Sequence, residues 1–206
     1  MDASQLDIMS NFEIKMGVLN AMTELMKDTP FDKLTIASIC QAAHISRTTF
    51  YRYFDDKFSV PQWHARYAFM QGTNEIGRTL SWYEGYYITE LLMTEQLDFY
   101  AAVSKSNDYN AIDNYSPRTR RQTFYETVTE YKHLELTEQM RFEIDAIVES
   151  ETHLFPKWHN GAYECTLEEA CAWMVKCVPN DLYELLKTPT NPRRVGFVGL
   201  SGHPLR

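Results

Sequence analysis

The sequence predicts an all-α protein, and three observations carry that reading. Its 206 residues include only 8 Gly and 8 Pro, so long stretches run without a helix breaker. Apolar residues recur at three- and four-residue spacing along most of the chain. Thr, Ser or Asp stands just before several of these periodic stretches, where N-caps belong.

Taken in order, Ile14, Val18, Ala21 and Leu25 mark a first amphipathic helix of about five turns, ended by Asp28-Thr29-Pro30 because proline cannot continue a helix. Thr35 caps a second, with Ile36 and Ile39 inward, reaching Ala42 or Ala43. After a break at His44-Ile45, Ser46 caps a third, Arg47 to Phe54, whose inner face carries Phe50 and Phe54. Asp55-Asp56 caps a fourth, which Pro61 makes irregular at its start or shifts to a later one. Trp82 to Leu92 and Leu97 to Val103 give the fifth and sixth. Ser104 to Pro117, rich in Asn and Asp, reads as a loop. Helices follow over Arg118 to His133 and Glu138 to Pro156. Thr166-Leu167-Glu168-Glu169 is a capping box for another, and Asn180 to Lys187 is the last. From Thr188 the chain has three Pro, three Gly and no acid, and a mobile tail is expected.

A composition of 44% hydrophobic and 23% charged residues is that of an ordinary globular protein. Thirteen Tyr imply either a polar-lined cavity, an interface or a dense core. The net charge of −8 argues against a phosphate-binding surface overall. Locally the balance reverses. Between Lys33 and Lys57 stand four cations and two anions, a net of +2 on an acidic body. Cys40, Cys165, Cys171 and Cys177 form no CxxC pair, so buried free thiols in a reducing compartment are expected. The start lacks a signal peptide pattern and no apolar run is long enough to span a bilayer, so a cytoplasmic protein with no membrane partner is expected.

The chemistry lies in Thr35 to Lys57, TIASICQAAHISRTTFYRYFDDK. Two short helices meet at a tight turn, and the second opens on small polar and basic residues. A recognition helix needs that design, because its first turn must enter the major groove and present donors to base edges. Arg47, Thr48 and Thr49 suit the bases. Thr35, Ser46, Tyr51, Arg52, Tyr53 and Lys57 suit the phosphates through a hydroxyl, a cation or a helix-terminal amide.

At these residues the sequence resembles the TetR family of bacterial regulators, in the ladder Thr35, Ile39, Ala43, Ile45, Ser46, Phe50, Tyr51, Phe54 and Lys57. The resemblance covers roughly residues 10–60 and is architectural beyond. Two positions depart from it. His44 stands where the family usually has Gly in the turn, a place favouring positive φ, and Phe50 stands where Leu is commoner. The resemblance implies an N-terminal three-helix DNA-binding domain with a helix-turn-helix at 1–58, a C-terminal helical ligand-binding and dimerisation domain at 59–188, and a tail at 189–206. It also implies a homodimer joined through the last two long helices. The dimer would bind a near-palindromic double-stranded operator, repress, and release it when a small-molecule effector enters the C-terminal domain.

For such an effector, Trp82, Tyr86, Met93, Tyr100, Phe124, Tyr125 and Trp158 are the candidate lining. Glu90, on the same stretch, would attract a cation if buried, but exposure is the ordinary expectation for a glutamate. The six His have no partner at metal spacing, so neither metal nor cofactor is expected. GxSxG, P-loop and GxGxxG motifs are absent, which leaves no catalytic residue to name and argues against an enzyme. The competing reading is a helical protein-interaction module without specific DNA binding.

Overall fold

The computed structural model describes residues 3–106 and 117–192, and these are helical apart from loops and one isolated bridge between Ile76 and Leu80. The chain divides into two compact units, Met1–Ala65 with Gln96–Asn114, and Arg66–Glu95 with Tyr115–Arg206. The division therefore differs from the expected break at residue 58: one later helix joins the N-terminal unit.

The first unit comprises α1 (Ala3–Leu25), a 3₁₀ turn (Phe31–Lys33), α2 (Ile36–Ala42), α3 (Arg47–Tyr53), the beginning of α4 (Ser59–Gln71), and, from further along the chain, α6 (Leu97–Val103). α4 starts later than Asp56, which instead accepts the Ser59 amide and hydroxyl on its carboxylate, at 2.8 and 2.9 Å. Pro61 thus falls in the first turn, where its missing N–H leaves no hydrogen bond unmade. Leu19, Phe31, Ile39, Phe50, Phe99 and Val103 meet in one core at 0–2% exposure.

In the second unit α5 (Trp82–Thr94) is the central element. It buries Trp82, Gly85, Tyr86, Ile88, Thr89, Glu90 and Leu92, an arc of about 200°, and leaves Tyr83 exposed outside that arc. Ser81 and Glu84 close a capping box at its start. A Cβ at Gly72 would lie 2.2 Å from Thr89 Oγ1, so glycine lets the chain pass tightly against α5. The Thr73 amide then donates to Thr89 Oγ1 at 2.9 Å.

α7 (Pro117–Glu126) runs into a π turn, Thr127–Tyr131, in place of the expected unbroken helix to His133. Arg78 sits against this bulge, donating to Thr123 O at 2.9 Å and Thr127 Oγ1 at 2.8 Å. α8 (Glu138–His159), α9 (Leu167–Cys177) and α10 (Asn180–Leu186) complete the unit, and the expected capping box at Thr166 and Glu169 is present. The core joins Trp82, Tyr86, Phe124, Ile147, Phe155 and Met174.

Three expectations are corrected. Glu90 is buried, at 5% exposure, because it falls on the wide buried face of α5, where His159 of α8 meets it. Cys177 is exposed and Cys165 half-buried, so only Cys40 and Cys171 are buried thiols. The segment after Thr188 begins pinned: the Thr190 and Asn191 amides donate to Gly77 O and Arg78 O, at 3.1 and 2.8 Å. Most of the expected loop, residues 107–116, and the tail from 193 lie outside the described residues.

Candidate nucleic-acid interface

The α2–turn–α3 segment is built from local signals. Thr35 Oγ1 accepts the Ser38 amide at 3.1 Å, while the Thr35 amide donates to Ser38 Oγ at 3.2 Å, a reciprocal cap. α2 ends in a Schellman closure. His44 takes φ 55°, and the His44 and Ile45 amides donate to Gln41 O and Cys40 O, at 3.3 and 3.0 Å. This is the left-handed site that usually calls for Gly, and His is among the residues that tolerate it. Ser46 Oγ accepts the Thr49 amide at 3.0 Å and starts α3. Phe50 and Phe54 on its inner face are buried at 0% and 3% exposure.

These caps and anchors turn one polar face outward. Thr35, Ser46, Arg47, Thr48, Tyr51 and Arg52 are exposed, Tyr51 at 56%. The remaining three expected contact residues are committed to the fold. Thr49 Oγ1 shares a 2.9 Å hydrogen bond with Ser46 Oγ. Tyr53 donates its hydroxyl to Asn11 Oδ1 at 2.7 Å, which ties α3 to α1. Lys57 Nζ donates to the carbonyls of Phe31, Asp32 and Leu34, at 2.9, 2.9 and 3.1 Å, and lies over the Phe31 and Phe58 rings. It closes the loop that leads into the Thr35 cap. Sequence reasoning overlooked Asn11 and Ser38. The Thr-x-x-Ser spacing was a signal for Ser38, whereas nothing local marks Asn11.

The expected effector lining is split: Tyr125 and Trp158 pack against the core that holds Trp82, Tyr86 and Phe124, whereas Met93 and Tyr100 belong to other clusters. Trp82, Tyr86 and Phe124 pack on one another and on Phe155 in the second unit, with centroids 5.5–5.9 Å apart. Met93 joins a separate cluster with Leu80 and Leu92, and Tyr125 lies beneath Arg141. Trp158 lines a groove of about 190 Å³ between α8 and α9. Tyr100 belongs to the first unit, where its hydroxyl meets His64 Nδ1 at 2.9 Å. Burial lowers His64 to about 4 and pushes the Tyr100 phenol up, so both are neutral at pH 7. Among the described residues no group of three or more His, Cys, Asp or Glu is placed to hold a metal, and no helix is long and apolar enough to cross a membrane.

A capped two-helix unit, with a slim polar face over an aromatic inner face and a supporting first helix, is a helix-turn-helix of the DNA-binding kind. Residues 18–59 match the family profile described as bacterial regulatory proteins, tetR family. No curated protein matches the chain. Among solved structures it is similar to the dihydroxyacetone kinase operon activator DhaS, at TM-score 0.56 and 15% identity, over 85% of this chain and 98% of that one. A tetR-family transcriptional regulator from Streptomyces coelicolor aligns at TM-score 0.49 and 14% identity, over 87% and 91%. The likeness to the first is one of fold.

Proposed function

We propose that this protein is a dimeric, sequence-specific transcriptional regulator that represses from a near-palindromic operator and is released by a small-molecule effector. The observation that carries the reading is the outward face of α3, where Arg47 and Thr48 stand free of the core on a helix fixed by Ser46 and Phe50. Arg47 would read guanine and Thr48 a thymine methyl. Thr35, Ser46, Tyr51 and Arg52 would hold phosphates on either side.

Dimerisation is assigned to α8 and α9. Trp173 and Tyr163 are 47% and 42% exposed at the edge of the α8–α9 groove, next to Leu154 and Trp158. Aromatics standing out beside an apolar groove suit a self-complementary two-fold interface. Such a dimer would set its recognition helices one DNA turn apart, about 34–36 Å.

The test is titration of the purified protein against DNA from upstream of its own gene, at two salt concentrations, with a scrambled duplex as control. Tight, salt-sensitive, sequence-preferring binding by two protomers is expected. Equally weak binding to both duplexes, repeated across a random-sequence selection, would refute it. A transcription assay on the bound site then reads the sign of regulation.

A further inference from the structure

We propose that the interior of the second unit contains a receptor site for an elongated organic cation, with Glu90 as the counter-ion for its charged end. This rests on the effector reading above and names the effector's chemistry.

Trp82, Tyr86 and Glu90 follow at four-residue steps on one face of α5, so their side chains line up along the helix. Glu90 Oε2 lies 3.0 Å from Nε2 of His159, in the last turn of α8. The other charge acting on Glu90 is the carboxylate of Glu151, which repels it. Glu151 is itself committed, accepting hydrogen bonds from Arg120 at 2.9 Å and from the Tyr86 hydroxyl at 2.8 Å. Cys171 and Glu168, on α9, complete the titratable groups of this corner.

Glu90 is therefore a buried acid with one imidazole beside it, no Lys or Arg in reach among the described residues, and an acidic neighbour. Burial accordingly holds its carboxyl above the ordinary range. An apolar pair of similar volume would make a more stable core. An organic cation would complete the charge. The aromatics beside Glu90 suit one: Tyr86 is one turn away on α5, Phe155 lies 5.5 Å from the Tyr86 ring, and Trp158 neighbours His159 at 4.8 Å.

A second observation fixes the other end. Trp82 Nε1, two turns before Glu90, is buried without a hydrogen-bond partner. A donor left so is costly, and it marks a place for an acceptor atom. Eight residues of helix separate the two positions by about 12 Å. The occupant is thus cationic at one end, bears an ether, hydroxyl or carbonyl oxygen at the other, and is apolar between. The rings are in contact as they stand, so binding must part α5 from α7 and α8.

The probe is (8-hydroxyoctyl)trimethylammonium chloride, followed by tryptophan fluorescence and thermal unfolding of the full chain, with sodium benzoate and sodium chloride at equal ionic strength as controls. Saturable binding of the cation alone is expected, weakened at least about tenfold in Glu90→Gln. No saturable binding, or equal binding by benzoate or by the Gln variant, overturns the site. Should Glu90→Gln fail to fold, His159→Gln replaces it: removing the resident partner is expected to tighten cation binding, and weaker binding overturns the proposal. DNA titration without the probe keeps the two readings apart. Intact operator binding with no cation binding sinks the site alone, and cation binding without operator binding sinks the regulator alone.

Discussion

Replacing Lys57 by Met keeps most of the apolar stem and removes the ammonium. Three carbonyls, those of Phe31, Asp32 and Leu34, lose their donor at once. A hydrogen bond to a charged group contributes about 1.5–3 kcal/mol, but three on one half-buried ammonium share a single desolvation, so the whole is taken as about 3 kcal/mol. For a chain of this size that corresponds to a fall in unfolding midpoint of roughly 6–12 °C. The freed carbonyls lie just before Thr35, so the cap of α2 loosens and DNA affinity falls by the same factor for every sequence. The slope of log affinity against log salt distinguishes this from a phosphate contact. A lysine that neutralises a phosphate contributes about 0.9 to that slope, whereas one that only organises the loop contributes nothing. The assay is a melt plus operator titrations at three salt concentrations, run well below the variant's midpoint. An unchanged melt with a slope reduced by about 0.9 would refute the reasoning and return Lys57 to the phosphates.

Other outcomes follow from the same geometry. Arg47→Ala is expected to lose about 1–3 kcal/mol of discrimination at one base position while the melt stays unchanged; equal affinity for operator and single-base variants before and after substitution would remove Arg47 from the groove. His64 is held neutral, near 4 in the folded chain against 6.5 when unfolded, so its contribution is complete above pH 6.5 and drains away as pH falls through 4. The loss amounts to up to about 3 kcal/mol, seen as a falling urea midpoint that flattens in His64→Leu; parallel pH profiles would contradict it. Trp173→Glu places a charge at the rim of the α8–α9 groove and is expected to give monomers by sedimentation. A variant that remains dimeric would move the interface elsewhere.

Elements set by neighbours in sequence were readable from sequence. Thr35, Ser46 and Thr166 cap the helices they were expected to cap, because a cap is decided within four residues. Phe50 and Phe54 were recognisable as core from one-turn spacing. What escaped depends on distant chain. A lysine at the start of a helix looks like a phosphate ligand until the loop at Phe31–Leu34 is seen folded around it. Glu90 looked exposed because glutamates usually are, although WYEGYYITELLMT carries only two charges, one of them the capping Glu84. That scarcity was the signal of a helix with a wide buried face. The π turn at Thr127 is met by Arg78, nearly fifty residues earlier, and no local pattern announces that contact.

The first unit is assembled from two separate stretches of chain. Phe99 and Val103, on α6, are fully buried among Leu19, Phe31 and Phe50, and the Ser106 hydroxyl bonds the Asp32 carboxylate. A fragment cut after Ala65 would leave a hole where two apolar side chains belong, with no local residue to fill it. The first unit therefore cannot be grafted as one contiguous cassette. A chimera that takes α1 to α3 from here and its body from another protein must carry α6 along, or redesign the surface α6 covers.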